Sequence, residues 1–206
     1  MRPTLWPGLA LALGACGGAA SPAPAPHAEP AGSKPAGPAH SVERYFPLQH
    51  DAVFKFETRD ESTGERGVLV MRVHRPSAEL AGLDIGGKKR RLTVQSDGIR
   101  QAEGGYLLKL PIQLGASWLG RLGQVRVTAV EQIIDVPAGR FVGCFTTEES
   151  TSNKRVSTTF CPDVGMVAMD LEGMVDGDYA RQTVRLVSFG QHVDLGEPGV
   201  RVIPPR

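Results

Sequence analysis

Apolar and polar residues alternate with a two-residue period through most of the chain. Phe54 and Phe56 are interleaved with Lys55 and Glu57, which gives a strand one apolar face and one wet face. Leu69, Met71 and Val73 repeat the rhythm beyond Thr63-Gly64, with Val68 and Val70 partly covering the opposite face, so a hairpin is the simplest join. Leu92 and Val94 continue it, and Ser96-Asp97-Gly98 supplies residues that tolerate positive φ at a two-residue reversal. Val125, Val127 and Ala129 open a long strand whose parity breaks at Ile133 and Ile134, which predicts a bulge and strong local bending. Val136-Pro137-Ala138-Gly139 fits a type I turn, with proline second and glycine fourth. Residues 141–148, 156–161, 166–171 and 183–189 supply four further strands, and helical turns are expected only at 78–83 and near 114–119. Consecutive short strands with tight turns predict a mostly β fold: one curved antiparallel meander sheet, a half-barrel or open barrel.

The first forty residues do not share this rhythm. Met1-Arg2 and the apolar stretch from Leu5 to Leu13 are too short to cross a bilayer, which takes about 20 apolar residues. The stretch ends in Leu13-Gly14-Ala15-Cys16, which resembles the lipobox of bacterial lipoproteins. That resemblance implies a signal peptide over 1–15, acylation of Cys16 on its sulfur and new amino terminus, and a membrane partner reached through that lipid. The alternative is an ordinary signal peptide that happens to contain cysteine. Gly17 stands where aspartate would signal inner-membrane retention in enteric bacteria, so the outer membrane is favoured over the inner, with the domain outside the cytoplasm.

Residues 16–41 then read as a tether. Ser21-Pro22-Ala23-Pro24-Ala25-Pro26 sits in a run of Gly, Ala, Pro and Ser that has too little apolar surface to offset the entropy of ordering. A proline-rich docking motif is the weaker alternative. The β domain is placed at 42–192 and an irregular tail at 193–206, where Gly196, Pro198, Pro204 and Pro205 oppose regular structure.

Taking Cys16 for lipid leaves Cys144 and Cys161. The turn signal at 150–154 lies between them, and their midpoint falls between Ser152 and Asn153, so an unbulged hairpin would set the two cysteines face to face. Outside the cytoplasm the pair forms a disulfide or, failing that, two buried thiols; neither belongs to a Cys-x-x-Cys redox motif.

Four short motifs occur in a familiar order. Tyr45-Phe46-Pro47-Leu48, then Leu110-Pro111-Ile112 with Gly115 and Trp118, then Val136 to Phe141, then Cys161 to Val167, resemble a broad group of uncharacterised secreted bacterial proteins and lipoproteins. The resemblance spans nearly the whole domain and implies a strongly curved antiparallel sheet akin to the half-barrels of lipoprotein-carrier proteins. It implies no catalytic residue. The chain departs from the group at Asp163, where glycine is usual, and lacks a tryptophan soon after Leu48.

Composition and chemistry narrow the function. A formal net charge of +1 provides no global field for nucleic acid. There is no nucleophile elbow, no His-Glu-x-x-His, no phosphate loop and no redox cysteine pair, so no catalytic residue and no cofactor is expected. The basic run Lys88-Lys89-Arg90-Arg91 after Gly86-Gly87 reads as a solvated turn entering a strand. Asp176-Gly177-Asp178 reads as a turn, too poor in ligands for calcium. Glu148 and Glu149 are adjacent, so they point to opposite faces and cannot act as a catalytic pair. His50, His74 and His192 lack metal-site spacing, and no metal is expected. Tyr45, Phe46, Trp118, Phe141, Phe145 and Phe160 either line an apolar cavity or fill the core. These readings lead to a non-enzymatic envelope lipoprotein whose sheet binds an apolar small molecule or acyl chain, or to an interaction module for an envelope protein.

Overall fold

A computed structural model describes residues 41–175, 178–191 and 193. The lipobox and Cys16, the tether up to His40, Asp176-Gly177, His192 and the tail beyond Val193 lie outside the described residues. Twelve antiparallel strands form one sheet: β1 (Val53–Asp60), β2 (Arg66–His74), β3 (Leu80–Ile85), β4 (Lys88–Gln95), β5 (Gly98–Gln101), β6 (Tyr106–Lys109), β7 (Ser117–Leu119), β8 (Gln124–Val136), β9 (Gly139–Ser150), β10 (Lys154–Cys161), β11 (Gly165–Val175) and β12 (Asp178–Gly190). The spatial order is β6-β5-β4-β3-β2-β1-β12-β11-β10-β9-β8-β7. Every chain neighbour pairs except β6 with β7, and the first strand pairs with the last, so the meander nearly closes into a barrel with one seam. Both seam strands are short, as unpaired edges usually are. Across the seam Gly105 packs against the Gly120 carbonyl so closely that no side chain fits; Gly105 also has φ +74°.

The expected alternation sets the inner face. Phe54 and Phe56 of β1, Leu69, Met71 and Val73 of β2, and Val184 and Leu186 of β12 are all buried. Outward positions of β1 carry Lys55, Glu57 and Arg59, and Arg155 and Arg181 flank Glu172 on neighbouring strands at 3.9 and 3.5 Å. A charged outer face of this kind suits water rather than lipid.

Two local expectations are corrected. Residues 78–83 form no helical turn; from Leu80 on they belong to β3. Ala81, Leu83 and Ile85 recur every second residue, and pairing with β2 and β4 selects the extended chain over the helix-forming Ala78-Glu79-Leu80-Ala81. Residues 114–119 likewise contain no helix: Ser117–Leu119 is β7, with Trp118 turned inward between two exposed neighbours. The single helical turn among the described residues is a 3-10 turn at Val42–Arg44, capped by Ser41, whose hydroxyl accepts the Glu43 N–H at 3.2 Å.

The broken parity near Ile133 is a series of register shifts between Val127 and Ile133, with Glu131 at φ +52°. These bend the β8–β9 hairpin so that its tip reaches β12, where the Ala138 N–H donates to the Leu186 carbonyl at 2.9 Å. Below that bend β9 and β10 pair in unbulged register up to Phe145 opposite Phe160. The next pair inward, Cys144 and Cys161, is joined by a disulfide with its Cα atoms 4.1 Å apart, and both cysteines are fully buried.

Candidate functional site

The six aromatic residues singled out in the sequence belong to or pack against one buried cluster, in which four of the rings contact one another. Tyr45, Phe46, Phe145 and Phe160 pack together inside the sheet: Tyr45 meets Phe145 edge-on at 5.0 Å, Phe46 meets Phe160 edge-on at 6.1 Å, and Phe145 stacks on Phe160 at 5.4 Å. Phe141 belongs to the bent hairpin tip, where it touches Phe189, which in turn stacks on Phe54. Trp118 is buried, and its indole N–H has no hydrogen-bond partner. Together with their neighbours these rings fill the middle of the inner face as one hydrophobic cluster.

The strap that precedes β1 supplies part of that filling. Val42, Phe46 and Leu48 are each at most 4% exposed. One clamp is Arg75, whose guanidinium reaches the Glu43 carboxylate and the carbonyls of Leu48, Ser77 and Ala78. The turn between β10 and β11 is the second. There the Asp163 N–H donates to the Arg44 carbonyl at 2.6 Å, and a Cβ at Gly165 would press to 3.1 Å against the Phe46 ring. Asp163 has φ +63° and Gly165 φ +103°. Glycine adopts such a φ freely, and aspartate is among the other residues that best tolerate it. Two of the four motifs that carry the resemblance therefore meet to dock the strap, which is a packing role.

The remaining candidates have structural partners. Glu148 and Glu149 do face opposite ways. Glu148 pairs with Arg155 at 3.5 Å on the outside, whereas Glu149 turns inward and accepts the N–H groups of Leu122 and Gly123. The basic run lies within β4 itself, and Gly86-Gly87 forms the turn, tied by Gly87 N–H to the Asp84 carboxylate at 2.9 Å. The fold brings His50 and His74 together with ring centres 5.0 Å apart. The Nδ1 atom of His50 accepts the Arg75 N–H at 3.0 Å, which leaves the proton of the neutral ring on Nε2, 3.5 Å from Asp51. Neither nitrogen then offers a free lone pair. Among the described residues no three His, Cys, Asp or Glu side chains converge as a metal-ligand set.

An opening that the sequence reading missed lies at one end of the sheet. A cleft of about 330 Å³ is enclosed by the turn ends of β1–β2, β9–β10 and β11–β12, and its lining includes Thr58, Asp60, Glu65, Lys154, Leu171 and Arg181. Hydrogen bonds shape its walls: Met174 N–H donates to the Asn153 carbonyl at 3.1 Å, and Glu61 N–H to the Arg181 carbonyl at 2.8 Å. The Ser62 hydroxyl above all, then the Thr63 amide, donates to Asp60 and holds its carboxyl below the usual aspartate value.

Fold and interior thus define a nearly closed meander barrel with a packed centre and a cleft at one end. No protein-family model matches the chain, and no curated protein does. Solved structures similar to the chain include the following two. One, from Bacteroides fragilis, is described as an exported protein with a YmcC-like fold; it is 11% identical, the match covers 71% of this chain and 98% of that one, and the TM-score is 0.45. The other, from Parabacteroides distasonis, is described as a lipoprotein, with 12% identity, the same coverages of 71% and 98%, and a TM-score of 0.44.

Proposed function

We propose that this chain is a non-enzymatic module of a bacterial cell envelope, acylated on Cys16 and held off the membrane by its tether, that engages an envelope protein through its outer surface. The packed centre of the sheet carries this reading. The rings that would line an acyl pocket touch one another, and the strap occupies the space beside them. An acyl chain would have to displace Phe46 and Leu48, both buried against the core. The lipobox-like Leu13-Gly14-Ala15-Cys16 supports the anchor. One observation favours a second reading, an interior that accepts an acyl ligand: the buried Trp118 N–H lacks an acceptor, and an ester or amide carbonyl would supply one.

The deciding experiment is mass spectrometry of the full chain extracted from bacterial membranes, with organic extraction of the same sample. The expected result is a chain beginning at an acylated Cys16 with no other lipid. A chain without acyl groups overturns the anchor. A stoichiometric extractable acyl lipid overturns the protein-partner reading in favour of the second.

A further inference from the structure

The cleft at the open end has two walls of opposite charge. Within the β1–β2 hairpin Arg59 pairs with Arg66, so the next residues inward, Asp60 and Glu65, face each other, and the Asp60 N–H donates to the Glu65 carbonyl at 2.9 Å. Like charges directly opposed across a hairpin repel. No Lys or Arg among the described residues forms an ion pair with either carboxylate, and hydrogen bonds from the Ser62-Thr63 turn keep Asp60 ionised. That wall carries two negative charges, with no cation paired to either among the described residues.

Lys154, at the base of the β9–β10 turn, also lines the cleft and is in no ion pair among the described residues. Arg181 and Glu172, at the cleft's outer margin, satisfy each other at 3.5 Å, so they ask for no ligand charge. The surface joining the two walls is largely apolar, with Leu171, Met174 and Ala180 beside Gln182.

We propose that this cleft binds a zwitterion of short-peptide size, its ammonium between Asp60 and Glu65, its carboxylate at Lys154 and its aliphatic body along Leu171 and Ala180. The walls stand on β1 and β10, three inter-strand steps apart, or about 14 Å of sheet at roughly 4.8 Å per step. Side chains reaching inward from both ends leave a span on the order of 10 Å, the length of an extended tripeptide and too long for one amino acid. A volume of about 330 Å³ lies at the small end of the range for ligand pockets. This site is independent of the protein-partner reading, and either can fail alone.

The test is an NMR titration of the purified full chain with trialanine, N-acetyl-trialanine and trialanine amide. The expected result is saturable binding of trialanine, with shifts gathered at Thr58, Leu171, Ala180 and Gln182, and at least about tenfold weaker binding of each capped peptide. The Asp60→Asn/Glu65→Gln double variant should lower trialanine affinity to that of the acetylated peptide. Lys154→Met should lower it to that of the amide. All three side chains lie at the surface, so a folded spectrum is expected throughout. Equal binding of the capped peptides, or no saturable shift with trialanine, overturns the proposal.

Discussion

The middle of the barrel and its open end are made by the same strands, yet they differ in kind. Along the inner face of β1, Phe54, Phe56 and Thr58 are buried and Asp60 is not. On β12 the inner positions run from Leu186 and Val184 to Gln182, and on β10 from Phe160 and Thr158 to Lys154. Each strand therefore changes from apolar to polar within about six residues, at the level where water enters. In the centre, affinity for other side chains is already spent on packing, and the few buried polar groups are hydroxyls such as Thr147, which donates to the Thr158 carbonyl at 3.4 Å, and the unpartnered Trp118 indole N–H. At the open end the side chains remain solvated, and charge can be left uncompensated until a ligand arrives.

The sharpest way to break the centre without touching the end is Phe56→Ala. Phe56 is fully buried. Losing its ring removes apolar burial and leaves a cavity, a change that costs about 3–5 kcal/mol in well-packed cores. Urea denaturation should show that loss as a lower midpoint with an unchanged slope. A loss under about 1 kcal/mol would mean that the centre is loosely filled, and would favour the acyl-binding interior.

A smaller effect is expected from the disulfide, which fixes the hairpin where it bends away from the centre. Replacing Cys144 and Cys161 together by alanine frees a loop of sequence separation 17. Chain entropy then predicts a loss of roughly 3 kcal/mol. The amide spectrum around Asp60 and Lys154 should stay the same, because the bridge lies at the other end of β10 from Lys154. Spectral changes at the open end on removal of the bridge would contradict the separation of the two regions.

Most of the centre was legible from sequence, and most of the open end was not. Alternation located the long strands because apolar residues at every second position leave a sheet few alternatives. The midpoint of Cys144 and Cys161 located their pairing because the β9–β10 hairpin carries no bulge between its turn and the bridge. The same construction applies to Asp60 and Glu65, whose midpoint falls between Ser62 and Thr63, so half of the cleft was readable in retrospect. The other half was not, since Lys154 and Leu171 join the site only through pairing of β1 with β12, the longest-range contact of the sheet. Residues 78–83 were misread for a related reason: helix-forming composition decides locally, and the flanking strands decide in the fold. Trp118 fell where a helical turn near 114–119 was expected, and three residues are too few for a period to announce a strand.

The smallest expected effect tests the open end through its acid titration. The folded-state carboxyl of Asp60 lies below its ordinary value, chiefly because of the Ser62 hydroxyl, so ionised Asp60 favours the folded chain. That contribution is complete above the unfolded value of about 3.9 and is lost as pH falls through the lower folded value. Asp60 lies near the surface, and Asp60→Asn removes both the turn hydrogen bonds to a charge and the opposition to Glu65. At neutral pH the two changes act against each other, and the variant should match the wild type within about 0.5 kcal/mol. Thermal melts of both proteins from pH 7 to pH 2 separate the terms. Any stability advantage of the wild type should hold steady down to about pH 5 and fade below about pH 4, where protonation makes its Asp60 as neutral as asparagine. If instead the variant is the more stable protein at pH 7 and loses that lead on acidification, repulsion from Glu65 outweighs the turn. The open end would then be a strained anionic wall even without its ligand, in still sharper contrast to the relaxed packing of the centre.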